Sequence, residues 1–246
     1  MKKINILGTN VCMVDMAGAI SKVEEFLAGD KANAVFTPNS EIIMLATRDE
    51  EFKSLLNSAD LVIADGIGVV YASRILKKPL AERVAGFDLV SNIIKKSADG
   101  KTSFYFFGGK PGVSEKAKEN LQKEYPLLNV VGTSDGYFDA EKEKQIIADI
   151  KEKAPDIVFV CLGAIKQEKW IMEHKDELGA KVLFGVGGSL DVFAGNVERA
   201  PLFYQKAGLE WFYRLMKEPK RIIRMMDLPR FALKVIKEGK KYPQED

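Results

Sequence analysis

The chain has 246 residues, of which 46% are hydrophobic and 29% charged, with a formal net charge of +2. This length is enough for one domain with a substantial core and an appendage, and the composition is typical of a soluble globular protein. The sequence has no run of about 18 apolar residues and no apolar signal segment after Met1, so we expect a cytoplasmic protein that does not span a membrane.

The cysteine and histidine content limits the chemistry. Cys12 and Cys161 form no CxxC motif and no Cys/His cluster, so a structural zinc is not expected. Cys161 lies inside the apolar run IVFVCL and is predicted to be a buried thiol. His174 is the only histidine and is interpreted as a solvated side chain among charges, which argues against a Ser-His-Asp triad.

Short apolar runs alternate with segments of helical spacing over the first 200 residues. The predicted strands are 3–7, 34–37, 61–64, 103–107, 129–132, 157–162 and 182–186. The predicted helices are 16–27, 41–57, 67–76, 88–98, one begun by Pro111, one after the loop TSDGYFD and one at KQEKWIMEHKDEL. Several strands are continuous apolar runs, which predicts a Rossmann-like α/β domain over 1–200, with a mostly parallel sheet covered by helices on both faces.

The sequence changes character after Pro201. Residues 199–246 hold 12 Lys/Arg and 6 Asp/Glu, whereas the rest of the chain is mildly acidic, so this tail is expected to meet something anionic. Its many apolar residues either pack on the body, form a homo-oligomer interface or lie in a membrane interface. We predict that 201–246 is a basic amphipathic helical appendage that associates with the membrane.

The stretch LVIADGIGVVYAS, residues 61–73, predicts a strand, a tight turn and a helix, with Asp65 at the carboxyl end of the strand. Ligands of open α/β sheets bind at that edge, and a neighbouring helix amino terminus favours an ionised carboxylate, which suits a base. Capping of the helix is an equally common role for Asp. Both interpretations of Asp65 stay open at this point.

Polar and glycine residues follow the other strands too, in 37–39, 108–109, 135–137, 163–167 and 187–191. Parallel strands bring these segments to one edge, where glycines allow close backbone approach and helix amino termini favour phosphate. The combination favours a nucleotide-type ligand, although neither GxGxxG nor a Walker loop is present. Without a DxD motif to hold a metal, we expect no metal and no cofactor, and a diphosphate would be neutralised by amides, Arg and Lys.

Seven ordered motifs and the tail together resemble one family. The motifs are TPNSEIIMLA, ADGIGVVYAS, ERVAGFDL, FFGGKPGV, DGYF, CLGAIKQEKWI and GVGGSLDVFAGNVERAP. They are similar to the WecG/TagA/CpsF glycosyltransferases, family twenty-six, and most of all to the TagA branch of wall teichoic acid synthesis. The resemblance implies an inverting transfer of N-acetylmannosamine from UDP to the 4-hydroxyl of an undecaprenyl-diphosphate-linked N-acetylglucosamine. The implied partners are the UDP-sugar donor, the lipid-linked acceptor and the inner face of the cell membrane, with no nucleic acid.

The resemblance also implies roles for individual residues. An inverting transfer needs one base to deprotonate the acceptor hydroxyl, and Asp65 of the DG motif is the candidate. The implied substrate-binding residues are Thr37, Asn39, Arg83, Gln167, Gly108, Gly109, Tyr137, Gly187 and Asp191. Arg214, Arg221 and Arg224 of the tail are candidates to hold the lipid diphosphate.

Two positions depart from the family pattern. Ile165 stands where the family usually has Pro in G-A-P-K-Q-E, and Ser40 stands where a second Pro is common. A proline would fix the backbone that leads into Gln167, so the geometry of that loop is an open question. Two alternative functions remain: the same transfer with another UDP-sugar, such as N-acetylmannosaminuronate, and a non-catalytic nucleotide-binding scaffold.

Overall fold

The computed structural model describes residues 1–217, 219, 222 and 226–244, without the side chains of Lys206 and Arg214. The chain opens with an antiparallel hairpin of β1 (Lys3–Ile6) and β2 (Thr9–Cys12). The central sheet contains β3 (Asn33–Phe36), β4 (Leu61–Val62), β5 (Ser103–Gly108), β6 (Asn129–Ser134), β7 (Ile157–Cys161) and β8 (Val182–Gly185). These six strands are parallel in the order β4-β3-β8-β7-β5-β6, so the predicted parallel α/β sheet is confirmed.

The predicted first strand belongs to the hairpin and not to the central sheet. Leu7 and Gly8 form its two-residue turn with φ angles of 54° and 94°, and the side-chain oxygen of Asn5 accepts a hydrogen bond from the Gly8 N–H at 2.8 Å. Such turns usually carry Asn-Gly or Asp-Gly because both central residues need positive φ. Since Leu occupies the first position here, the sequence did not indicate a hairpin.

Helices connect the strands and cover the sheet. They are α1 (Met16–Ala28), α2 (Ser40–Ala46), α3 (Glu50–Asn57), α4 (Ile67–Ile75), α5 (Gly86–Lys96), α6 (Val113–Glu124), α7 (Ala140–Lys153), α8 (Lys166–His174), α9 (Ser189–Phe193), α10 (Leu202–Lys206), α11 (Glu210–Lys217) and α12 (Asp227–Glu238). The single helix predicted over 41–57 is wrong. Its second half starts anew, because the Asp49 carboxylate accepts from the Phe52 N–H at 2.9 Å and caps α3.

Both faces of the sheet are buried under helices. In β5, Phe104 and Phe106 point into a cluster with α1, α5 and α6, whereas Tyr105 and Phe107 point into a cluster with α3, α7 and α8. Successive side chains of a strand alternate between faces, so a strand that is covered on both sides is apolar at every position. This double burial explains the continuous apolar run SFYFF.

The last described helix, α12, packs on α2 and α4. Phe231 and Val235 are buried in a third cluster, which the hairpin also joins. Arg48 donates to the Asp227 carboxylate at 2.6 Å, and Gln244 exchanges hydrogen bonds with the backbone of Asn5. This part of the tail is therefore held to the body, one of the three arrangements that the sequence left open. The division of the chain at residue 200 stays a prediction.

Candidate active site

The predicted residues of the body lie along the carboxyl edge of the central sheet. Asp65 follows β4, Thr37 and Asn39 follow β3, Gly187 follows β8, and Gln167 follows β7. Gly108 ends β5, Gly109 follows it, and Tyr137 lies in the loop after β6. The strand order therefore spreads these residues along one edge, with Asp65 at one end and Tyr137 at the other.

A cavity of about 340 Å³ lies at the β3–β4 end of this edge. Its polar lining includes Asn39, Asp65 and Arg83. The C-terminal segment supplies much of its apolar lining, including Trp211 and Phe231. The cavity thus lies between the body and the tail, and its lining joins polar groups of the strand ends to a largely apolar wall.

Asp65 lies between β4 and the start of α4. The N-cap position of α4 is Gly66, with a φ of 92°, and no side chain caps the helix there. Asp65 precedes this position and lines the cavity. Its backbone N–H donates to the Pro38 carbonyl at 3.3 Å, which ties the loops after β3 and β4 together.

Asn39 caps α2, because its side-chain oxygen accepts from the Ile42 N–H at 3.0 Å. This fixes its side chain at the cavity wall, next to the turn at Gly66, where an added Cβ would lie 3.6 Å from the Cβ of Asn39. Thr37 does not line the cavity. It packs under the start of α5, where a Cβ on Gly86 would come within 2.9 Å of the Thr37 hydroxyl oxygen.

Arg83 belongs to an ion network that the sequence did not indicate. Its guanidinium forms an ion pair with Glu210 at the start of α11 and lies 4.0 Å from Asp88. Arg199 donates to both oxygens of Asp88, at 2.5 and 2.9 Å, and to Glu210 at 3.3 Å. Desolvation lowers the pKa of Arg199, but the two carboxylates outweigh it and hold that pKa above its usual range.

The glycine turns after β5, β6 and β7 contact one another through their backbones. The Gly109 N–H donates to the Cys161 carbonyl at 2.9 Å, and the Gly136 N–H donates to the Gly109 carbonyl at 2.8 Å. Gly108 has a φ of 123°, and a Cβ there would lie 2.3 Å from the Cys161 carbonyl oxygen. These positions require glycine because another backbone already occupies the space. Together they form a closely packed backbone surface at the edge of the sheet.

Tyr137 and Asp191 lie near this surface on opposite sides. Tyr137 is 62% exposed in the loop after β6. Asp191 lies in the first turn of α9, close enough to act on Cys161. Burial, and then the charge of Asp191, raise the pKa of Cys161 to about 12, so the side chain is a thiol, and the predicted buried thiol is confirmed.

Gln167 is buried, and its amide spans two loops. Its side-chain oxygen accepts from the Gly187 N–H at 3.1 Å, and its side-chain nitrogen donates to Glu168 at 2.8 Å. Glu168 also accepts from the Ile165 N–H at 2.6 Å. Ile165 has a φ of 72°, which a proline ring cannot adopt, and proline has no N–H to donate. The loop in this chain is therefore not the one that a proline at position 165 would impose.

Three further predictions concern metal binding, the arginines of the tail and His174. Among the described residues no group of three or more His, Cys, Asp and Glu is placed to hold a metal ion, and independence from metal stays a prediction. Arg214 lies in α11 but its side chain is not described, and Arg221 and Arg224 lie outside the described residues. His174 is not solvated as interpreted, since its side chain is 12% exposed and its ring packs on Trp170.

The fold and the site together define a doubly wound α/β protein with a ligand site at the carboxyl edge of its sheet. Comparison with known proteins narrows this class. The model of the WecG/TagA/CpsF glycosyl transferase family matches residues 4–245, and the chain belongs to this family. Proteins of Staphylococcus aureus strains MRSA252, MW2 and NCTC 8325 are each 37% identical to it over 241 residues. The match covers 97% of this chain and 94% of each relative, and all three are named N-acetylglucosaminyldiphosphoundecaprenol N-acetyl-beta-D-mannosaminyltransferase.

Proposed function

We propose that this chain transfers N-acetylmannosamine from UDP-N-acetylmannosamine to the 4-hydroxyl of N-acetylglucosamine on undecaprenyl diphosphate, with inversion to a β1,4 linkage. The position of Asp65 carries the proposal. A carboxylate that follows a parallel strand and lines a cavity supports a general base for an inverting transfer. The names of the relatives supply the identity of the two sugars and of the lipid.

In the proposed reaction, Asp65 takes the proton of the acceptor hydroxyl. The oxygen then attacks the anomeric carbon of the donor, and the bond to UDP breaks on the opposite face with its electron pair leaving on the diphosphate. One base suffices because the leaving diphosphate already carries negative charge. Asn39, fixed at the cavity wall by its capping bond, is a candidate to hydrogen-bond a sugar hydroxyl or acetamido group.

The donor is proposed to lie along the backbone surface that the turns after β5, β6 and β7 form and beside the glycine turn after β8. The N–H groups and glycines of these turns let a nucleotide approach the backbone closely. Asp191 stands at the far side of this surface, where a carboxylate can accept a hydrogen bond from a ribose hydroxyl. The proposed position of the nucleotide leaves the cavity free for the two sugars.

The acceptor is proposed to reach the cavity from the inner face of the cytoplasmic membrane. None of the described helices is long and apolar enough to cross a membrane. However, α10 and α11 expose large apolar side chains, including Leu202, Phe203 and Phe212, within a segment rich in Lys and Arg. Exposed apolar groups beside basic residues favour the interface of an anionic membrane. The proposed role of Arg214, Arg221 and Arg224 is to hold the lipid diphosphate there.

The first experiment measures UDP release from UDP-N-acetylmannosamine in EDTA, with and without a short-chain polyprenyl-diphosphate N-acetylglucosamine. We expect release that depends on the acceptor and persists in EDTA. Release only with another UDP-sugar, such as N-acetylmannosaminuronate, would change the donor and keep the reaction class. UDP binding with no turnover of any donor would favour the scaffold alternative.

The role of Asp65 is tested by Asp65→Asn. Loss of a general base reduces turnover by about 10²–10⁴-fold, whereas UDP affinity is expected to stay near that of the wild type. Asp139→Asn is the matched control, because Asp139 caps α7 away from the cavity and Asn caps a helix equally well. Retained turnover in Asp65→Asn together with weakened UDP binding would assign Asp65 to the donor instead.

A further inference from the structure

The strongest unassigned group is the carboxylate of Glu168, in the first turn of α8. Glu168 is 2% exposed and Gln167 is 3% exposed. Both carboxylate oxygens accept hydrogen bonds, one from the Gln167 amide at 2.8 Å and the other from the Ile165 N–H at 2.6 Å. Within the described chain, no Lys or Arg forms an ion pair with this carboxylate. It is held by N–H groups and by the amino end of its helix.

The hydrogen-bond partners of Glu168 suit the ionised form of its carboxylate, because both of them are donors. Both neighbours present an N–H, so a proton on either oxygen would meet a donor. Desolvation raises the pKa of Glu168 and outweighs the hydrogen bonds from the Gln167 amide and the Ile165 N–H, which lower it. A buried charge without a cation is costly, and a helix cap alone does not require one, because the neutral side chain of Gln can accept from the same N–H.

The carboxylate also determines how the Gln167 amide is oriented. An acceptor-only partner must face the NH₂ group, so the amide oxygen points to the opposite side, where it receives the Gly187 N–H at 3.1 Å. The Gln167 amide also occupies space that a side chain at Gly185 would take, since a Cβ on Gly185 would lie 3.0 Å from the amide nitrogen. One unbroken chain of hydrogen bonds thus runs from Ile165 through Glu168 and Gln167 to Gly187.

We infer that Glu168 is a positioning residue: its carboxylate fixes the Gln167 amide so that the loop after β7 and the glycine turn after β8 keep one geometry for the nucleotide. This inference rests on the proposed function for the identity of the ligand. Glu168 does not touch the ligand. It acts through Gln167, on the backbone of Gly187 beside the proposed donor site.

The test exchanges the two side chains. In Glu168→Gln, an amide NH₂ meets either the Gln167 NH₂ or the Ile165 N–H, and in Gln167→Glu two carboxylates face each other. The double exchange Gln167→Glu/Glu168→Gln restores every bond: the new carboxylate accepts from Gly187 and from the new amide, whose oxygen accepts from Ile165. Glu173→Gln removes the same charge from an exposed position of the same helix and serves as the control.

UDP affinity by calorimetry and the thermal midpoint are measured for the full-length wild type and the four variants. We expect each single variant to bind UDP at least roughly tenfold more weakly than the wild type. The double exchange should recover UDP affinity to within roughly threefold of the wild type, and Glu173→Gln should leave it unchanged. Wild-type affinity in Glu168→Gln, or a double exchange as weak as the singles, would overturn the inference. If the single variants do not fold, the UDP affinity of the double exchange alone decides the inference: recovery supports it and failure overturns it.

Two further outcomes are informative. A double exchange that recovers UDP affinity but not turnover supports the positioning role of Glu168 and assigns the second N–H of Gln167 to the substrate, since a carboxylate cannot replace that donor. If the wild type itself bound no UDP, the proposed function would fail. The thermal midpoints of the same variants would still show whether residues 167 and 168 act as one hydrogen-bonded unit.

Discussion

Removal of the Glu210 charge should loosen the C-terminal segment from the body. The substitution Glu210→Gln keeps the size of the side chain but removes the charge that lies between Arg83 and Arg199. The side chain of Arg83 is 17% exposed, and those of Glu210 and Arg199 are 16% and 22% exposed. The network is therefore neither a surface pair nor a fully buried one, and Asp88 remains as the second partner of Arg199.

The expected cost follows from this intermediate burial. Exposed ion pairs contribute about 0–1 kcal/mol, whereas loss of one partner from a buried pair costs about 3–5 kcal/mol. We expect Glu210→Gln to lower the free energy of unfolding by about 1–3 kcal/mol, between those two limits. The Arg83 guanidinium that it releases should also bind inorganic pyrophosphate several-fold more tightly.

Urea unfolding at low and high salt measures the stability, and limited proteolysis after residue 199 measures release of the segment. Glu198→Gln is the control in the same segment, because Glu198 is 80% exposed and pairs only loosely with Lys217 at 3.6 Å. Unchanged unfolding and unchanged cleavage in Glu210→Gln would refute the argument that this network fastens the tail. Unchanged pyrophosphate affinity with a loosened tail would restrict Arg83 to a structural role.

Two further substitutions test the packing and charge at the ends of the sheet. Asp156→Ala leaves the Ser103 N–H and hydroxyl without their acceptor, at 2.9 and 2.8 Å in the wild type, and should cost about 1–3 kcal/mol in urea unfolding at pH 7. Burial raises the pKa of Asp156, but these bonds and a nearby lysine outweigh it and hold the pKa below 3.8. The contribution is therefore present above that pH and lost as the pH falls through the folded-state pKa, so the two proteins should converge in acid. Gly108→Ala places a Cβ 2.3 Å from the Cys161 carbonyl oxygen and should lower both the thermal midpoint and UDP affinity, whereas equal midpoints would contradict the close contact.

The sequence predicted the parallel sheet and the segments at its carboxyl edge because both leave local patterns. A strand that is buried on two faces has a continuous apolar sequence, and a Gly or Asp after it indicates the carboxyl edge of the sheet. The partner of Arg83 could not be predicted, since Glu210 lies 127 positions away and an ion pair leaves no periodic trace. The hairpin was missed because Leu7 adopts a backbone conformation usually left to Asn or Gly. Glu168 carries the pattern of an ordinary helix cap, and only its burial reveals the additional constraint.

The order of the strands in the sheet has a consequence for synthesis of the protein. Within the central sheet, β3 and β4 form one pair and β5, β6 and β7 form another group, and β8 alone joins them. Because β8 is the last of these strands to be made, the six-stranded sheet is complete only after residues 182–185 leave the ribosome. A nascent chain shorter than this lacks the strand that links the β3–β4 pair of Asp65 to the strands that precede Gln167. The complete edge of the sheet, and any activity that depends on it, therefore forms late in synthesis, when the final strand pairs with β3 on one side and β7 on the other.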